Sequence, residues 1–298
     1  IGEIAAKKDR ALGTEALSKG TAAIVPKLYK EGKFDGIISL GGSGGTSLAT
    51  PAMRALPVGV PKVMVSTVAS GNTSQYVGTS DIVMIPSVVD VAGLNSISTR
   101  IFGNAAAAIV GMVNHEPKPA GEKKPLIAAT MFGVTTPCVT MAKEYLEARG
   151  YEVLVFHATG TGGQSMEDLI KGGFIEGVLD LTTTEWCDEL VGGVLNAGPE
   201  RLEAAGKAGI PQVVSVGALD MVNFGPPDTV PEKFNGRNFY QHNPMVTLMR
   251  TTVEENRQLG EIIAGKLNMA TGKTALFLPL GGVSMIDAPG QAFYGPEE

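Results

Sequence analysis

Residues Leu40-Gly41-Gly42-Ser43-Gly44-Gly45-Thr46 restrict what this chain can fold into more than any other stretch. The run before them, Phe34-Asp35-Gly36-Ile37-Ile38-Ser39-Leu40, is short, apolar and β-branched and reads as a buried strand, while Ser47-Leu48-Ala49-Thr50 reads as the opening of a helix. Four glycines in five positions leave the turn free to adopt positive φ and keep side chains away from a ligand. Successive N–H groups can then converge on an anion at the helix N-terminus. The expectation is a phosphate held by Gly41, Gly42, Ser43, Gly44, Gly45 and Thr46, with the helix running from about Thr46 to Leu56. No lysine follows Gly45 as a Walker loop requires, and the spacing is not G-x-G-x-x-G. Close packing of a helix on a sheet is the other use of the same glycines.

Strand and helix patterns alternate from this point on. Helical spacing from Ile4 to Tyr29 precedes the first strand; strands are expected at Lys62–Ser66 and Asp81–Ile85, then a helix from Leu94 to Asn114. Residues 117–125 are polar and proline-rich and read as a linker. Beyond it the alternation resumes, with strands at Leu126–Thr130, Glu152–Phe156, Gly177–Leu181, Gln212–Val216 and Thr274–Leu278. The helices between them are expected at Pro137–Arg149, Gln164–Lys171, Pro199–Lys207 and Val253–Leu267, with a long irregular stretch from Gly217 to Pro244. Such alternation over 298 residues predicts an α/β protein of two doubly wound Rossmann-like domains with mostly parallel sheets. Their expected bounds are 1–116 and 126–298.

Ligands of such sheets bind beyond the carboxyl ends of the strands. The second strand is followed there by Thr67, Ser70, Gly71 and Asn72, a hydroxyl- and glycine-rich exit suited to an oxygen-rich ligand, although Ser and Thr also cap helices. A second glycine turn, His157-Ala158-Thr159-Gly160-Thr161-Gly162-Gly163-Gln164-Ser165, places Gly160 and Gly162 at the first two positions of a dinucleotide fingerprint, with Ser165 at the third. Gly160, Thr161, Gly162 and Gly163 are therefore candidate ligand contacts, and His157, Asp180 and Glu185 candidate acid–base groups. A magnesium ion accompanying a nucleotide would fall to Asp180 or Glu185. Three histidines without zinc spacing give no expectation of a metal site in the protein itself. The segment 217–244 is long enough for a lid, with Arg237 and Arg250 as nearby cations.

A net charge of −6 argues against non-specific nucleic-acid or anionic-membrane binding, and no apolar run reaches the roughly 18 residues of a membrane span. Cys138 and Cys187 are too few for a disulfide framework, so a reducing cytoplasm is expected.

The two glycine turns, together with Asp180-Leu181-Thr182-Thr183-Thr184-Glu185, Gly217-Ala218-Leu219-Asp220-Met221-Val222-Asn223-Phe224-Gly225 and His242-Asn243-Pro244, resemble an uncharacterised family related to the ATP-binding domain of the tomato mosaic virus resistance protein. The resemblance covers essentially the whole chain. It implies ATP binding, two Rossmann-like subdomains and a homodimer, and no assigned reaction for microbial members. It also implies an opening strand with a loop like Gly-Thr-x-Asp-Thr-Lys-Gly before Ile1, and further chain beyond Glu298. The nucleotide contacts it implies fall on Gly41 to Thr46 and Ser70 to Asn72. The expected function is thus ATP binding at the glycine turns. The alternative is a hydrolase or lyase acting on a small phosphorylated or carboxylated metabolite at the domain interface, with His157 or Glu185 as base.

Overall fold

The three short β-branched runs of the first half form one parallel sheet. In the computed structural model of the chain, which describes residues 9–116 and 123–297, helix α1 (Arg10–Lys30) precedes β1 (Ile37–Gly41), α2 (Ser43–Arg54), β2 (Lys62–Ser66), α3 (Ser74–Val77), β3 (Val83–Pro86) and α4 (Ser96–Val113). The strands lie in the order β1-β2-β3. Every residue of β2 is buried, because helices cover both faces of the central strand. Val63 and Val65 pack on Ala105 and Ile109 of α4, and Met64 packs with Met53 of α2 and Ile82. Asn95 caps α4 in a reciprocal box with Ser98. Among the described residues α4 is the one helix whose length and composition would suffice to cross a membrane, which the expectation of no such run had passed over.

Two boundaries in this unit differ from the expected ones. Helix α2 begins at Ser43, so Gly44 and Gly45 belong to its first turn: Gly42 is the extended cap, and the amide of Thr46 already donates to its carbonyl. Strand β3 begins at Val83 because Asp81 is held back. Its carboxylate takes the Nζ of fully buried Lys62 at 2.6 Å and the Gly59 amide at 2.7 Å.

The chain divides into two units, Ile1–Ala120 and Gly121–Glu298. The expected linker falls mostly on residues 117–122, which lie outside the described residues. The second unit runs β4 (Leu126–Met131), α5 (Thr136–Glu147), β5 (Glu152–His157), α6 (Thr161–Lys171), β6 (Gly177–Thr182), α7 (Glu185–Val191), α8 (Ala204–Ala208), β7 (Gln212–Gly217), β8 (Met221–Phe224), β9 (Phe239–Asn243), β10 (Val246–Arg250), α9 (Val253–Asn268) and β11 (Thr274–Phe277). Five strands form a parallel sheet in the order β11-β7-β6-β4-β5, with the chain reversing direction across the sheet at β4. That reversal is the doubly wound arrangement, and it opens a crevice beyond the carboxyl ends of β4 and β6.

The stretch expected to be irregular, 217–244, instead supplies two strands of a small antiparallel sheet in the order β8-β10-β9. Only four residues of β8 pair, and Pro226 and Pro227 follow at once, so no periodic signal marks it. All four are buried, and Val222 and Phe224 join Trp186, Met249 and Leu259 in the largest core cluster. The helix expected at Pro199–Lys207 shrinks to Ala204–Ala208. Leu202 takes a left-handed φ of 74°, and the amides of Leu202 and Ala204 donate to the carboxylate of Glu167 rather than to a helical ladder.

Candidate functional site

At the first glycine turn the backbone leaves the carboxyl end of β1 and enters α2 within two residues. The close contact is between glycines: a Cβ on Gly41 would lie 2.9 Å from the Cα of Gly45. None of Gly41, Gly42, Gly44 and Gly45 has positive φ, so these glycines serve close approach of strand and helix rather than unusual torsions. Thr46 is fully buried and anchors the turn, its hydroxyl bonded to the Gly42 carbonyl at 2.8 Å and to the Ser66 hydroxyl at 2.6 Å. Ser43 and Gly44 are exposed, and no side chain caps the helix. The first three helical amides, those of Ser43, Gly44 and Gly45, therefore point out of the N-terminus without an intrahelical partner.

Thr67 stands beside this turn, its hydroxyl 3.6 Å from where a Gly42 Cβ would sit and its amide donating to the Gly41 carbonyl. With Ser70, Ser87, Val88, Val89 and Asp90 it lines a cavity of about 410 Å³ at the carboxyl ends of β2 and β3. The far wall is strained. Val88 has φ of 63°, and the Val89 amide donates to the Ser87 carbonyl at 2.7 Å, closing a three-residue turn that a β-branched residue rarely accepts. Gly71 and Asn72 sit outside this lining; the Asn72 carboxamide oxygen accepts from the amide and hydroxyl of Ser74.

The second glycine turn has a different content. Two of its amides already hold an anion from the chain itself: Glu185 Oε1 accepts the amides of Gly160 at 2.7 Å and Gly163 at 3.0 Å, all buried. The glycines make room for that carboxylate and for the backbone. A Cβ on Gly163 would strike Glu185, one on Gly162 the carbonyl oxygen of His157, and one on Gly160 would lie 2.5 Å from the Asn196 carbonyl. The carboxylate of Glu185 thus occupies the position expected for a ligand phosphate, and of Gly160, Thr161, Gly162 and Gly163 only Thr161 is exposed.

Asp180 and Glu185 are brought together, but by a residue the sequence did not mark. Arg201, 1% exposed, binds Asp180 with both terminal nitrogens at 2.5 and 2.7 Å and Glu185 through Nε at 2.7 Å, with Glu167 at 3.5 Å. Asp180 also accepts the Thr130 hydroxyl at 2.7 Å. Three buried carboxylates and one guanidinium make a closed network across β4, β6, α6 and α7, and the expected magnesium ligands are part of it. His157 is exposed, its ring stacked on Phe132 at 5.5 Å. It shares no contact with either carboxylate among the described hydrogen bonds and ion pairs, so the three expected acid–base residues do not form one constellation. Arg237 is likewise paired, with Glu255 at 2.7 Å. Among the described residues no group of three or more His, Cys, Asp and Glu side chains is arranged to hold a metal.

Burial raises several carboxyl groups in the second unit. Glu167 and Glu185 go up through desolvation despite the pull of Arg201. Asp188 rises to about 7, again through burial and against hydrogen bonds from the Asn223 amide and side chain and the Leu195 amide, and Asp220 rises to about 6. A carboxyl group raised in the folded state binds more protons there than when unfolded, so its contribution to stability is full below about pH 4 and falls as pH climbs through the folded value. The second unit is therefore expected to be more stable at pH 6 than at pH 8, by about 1–2 kcal/mol from Asp188 and Asp220. Urea unfolding followed by Trp186, the one tryptophan in the chain and 5% exposed, measures this directly. A midpoint that rises between pH 6 and pH 8 would contradict the assignment.

Comparison with known proteins follows the same two-part division. The model of the uncharacterised protein family UPF0261 N-terminal domain matches residues 2–118, and that of its C-terminal domain matches residues 124–298. The chain belongs to the UPF0261 family. A UPF0261 protein of Clostridium tetani is 65% identical over 298 residues, covering all of this chain and 74% of its own length. The ToMV resistance protein Tm-1(GCR237) of Solanum lycopersicum is 52% identical over 293 residues, 97% of this chain but 39% of the tomato protein. A UPF0261 protein of Rhizobium meliloti is 51% identical over 290 residues, 97% of this chain and 71% of its own length. This chain thus corresponds to less than half of the tomato relative and about three quarters of the bacterial ones.

Proposed function

We propose that the first unit of this UPF0261 protein binds a nucleotide, ATP foremost, with its phosphates at the N-terminus of α2. One observation carries the reading: the amides of Ser43, Gly44 and Gly45 emerge uncapped beside Thr67, at the carboxyl end of a parallel sheet where a polar cavity lies. An N-terminus of this kind attracts negative charge through both its free N–H groups and its dipole. Thr67 and Ser70 add hydroxyl donors, and the strained turn at Val88 is the kind of backbone outlier that accompanies ligand sites. The second glycine turn supports a phosphate less well, since Glu185 takes the Gly160 and Gly163 amides and brings a carboxylate to the same place. The hydrolase or lyase reading has less support, because Asp180 and Glu185 are tied to Arg201 away from His157. A cytoplasmic setting goes with the nucleotide reading, and both cysteines are free thiols.

Ser43→Pro provides a test that leaves the fold in place. Proline is favoured at the first helical position and Gly42, at φ −78° and ψ −163°, is already extended as the residue before proline prefers. The substitution deletes one amide donor. Calorimetric titration with ATP, ADP, NAD and a sugar phosphate should show ATP binding best to the unaltered chain and about tenfold weaker to Ser43→Pro, the loss of one hydrogen bond to a charged group. Absence of saturable ATP binding, or equal affinity in the variant, would remove the proposal.

A further inference from the structure

We propose that the second unit carries a separate site for a small organic ammonium ion, with Asp220 as the acceptor of its N–H donors. The site is a cavity of about 510 Å³ beyond the carboxyl ends of β7 and β11, walled by Val216, Leu219, Leu280 and Val283 and floored by Asp220. This is a reasonable volume for a metabolite-sized ligand.

Asp220 is 1% exposed. Its Oδ2 accepts the Ser284 hydroxyl at 2.6 Å, whereas Oδ1 is buried without a hydrogen-bond partner among the described residues, in a side chain that belongs to the cavity lining. A buried acceptor without a donor is costly, and a ligand N–H entering the cavity would remove that cost. The neighbouring charged groups are already engaged. Asp287 accepts the amides of Val283 at 2.9 Å and Gly295 at 3.1 Å, and Arg250 donates to the Phe293 carbonyl and the Thr251 hydroxyl, each at 2.9 Å. Two carboxylates against one guanidinium leave the lining net negative when ionised, which selects a cationic donor over a hydroxyl. The aliphatic walls select an apolar body behind it.

The lining is built by backbone that only specific residues allow. Gly282 has φ of 115°, and a Cβ there would strike the Asp287 carbonyl oxygen; Ala218, next to the lining residue Leu219 in sequence, holds φ of 59° and donates its amide to the Val283 carbonyl at 2.7 Å. Burial lifts Asp220 to about 6, with Asp287 adding to the rise and Ser284, its own amide and Arg250 opposing it, so the group is mostly ionised at pH 7.5.

Titration of the chain at pH 7.5 and constant ionic strength with butylammonium and phenethylammonium, followed by thermal unfolding and calorimetry, tests this site. The expected result is saturable binding of both amines and none of butanol, weakened about tenfold or more in Asp220→Asn. Leu280→Trp, at a position 99% exposed, should weaken it too by narrowing the cavity without touching the core, and it carries the test should Asp220→Asn fail to fold. Binding of ATP should be the same in all three chains, which separates this site from the one in the first unit. Equal binding of butanol, no saturable binding of either amine, or unchanged affinity in Leu280→Trp would each overturn the assignment.

Discussion

Replacing Arg201 by methionine is expected to unfold the second unit, or leave it barely folded, at neutral pH. The guanidinium is the sole cation in contact with the carboxylates of Asp180 and Glu185 and the nearer oxygen of Glu167 among the described ion pairs, and all four side chains are almost wholly buried. Removing one partner of a buried pair costs about 3–5 kcal/mol because the other charge is left behind without compensation. Here three charges are left behind. Domains of this size have about 5–15 kcal/mol in total, so the loss takes a large fraction of it. Acidification should restore part of the stability, since protonated carboxyls need no counter-charge, and the rescue should begin below neutrality because burial already raises Glu167 and Glu185. Urea unfolding of the variant at pH 5 and pH 7.5, followed by Trp186 fluorescence, reads both effects. Near-native stability at pH 7.5 would show that the network is solvated and not the closed cluster described.

The second large effect is expected from Gly162→Ala. The added methyl would land on the carbonyl oxygen of His157 and 2.7 Å from its carbon, both backbone atoms of the strand that feeds the turn. Neither rotamer change nor a small side-chain shift relieves such a contact, and a loss of about 3 kcal/mol or more is expected. Gly45→Ala is the natural control. Its methyl would meet only the Leu40 carbonyl at 3.8 Å, an ordinary contact, and the position is helical, so the variant should match or exceed the parent by up to about 1 kcal/mol. Thermal unfolding of the two variants side by side checks the contrast; equal melting temperatures would mean that the two turns are packed alike. The comparison matters for function because the turns look interchangeable in sequence, and among the described residues only the second has a carboxylate of the chain on its amides.

Alternation of strand and helix, the two-domain division and the parallel sheets were legible in the sequence because each rests on local pattern. Runs such as Val63–Val65 and Leu126–Ala129 are apolar throughout, as strands covered on both faces must be, and the glycine turns mark where strands hand over to helices. The four-residue strand β8 was not legible, since its partner β10 lies more than twenty residues away and its burial comes from that pairing. The role of Arg201 is hidden for the same reason: Pro199-Glu200-Arg201-Leu202-Glu203 reads as the start of a helix with a solvated charge, and nothing local says that Asp180 and Glu185 converge on it.

What the sequence determined by itself was where glycine-rich strand exits occur and hence where anions could be received. Whether the chain itself supplies that anion was decided by tertiary structure. An amide cradle is set by a few consecutive residues, but its occupant is whatever negative group lies within hydrogen-bond reach. For the turn at Gly160 that group is Glu185, 25 residues further along the chain, carried there by the pairing of β4, β5 and β6. For the turn at Gly41 the fold brings hydroxyls and a cavity and, among the described residues, no carboxylate onto the helix amides, which is the difference on which the proposed nucleotide site rests.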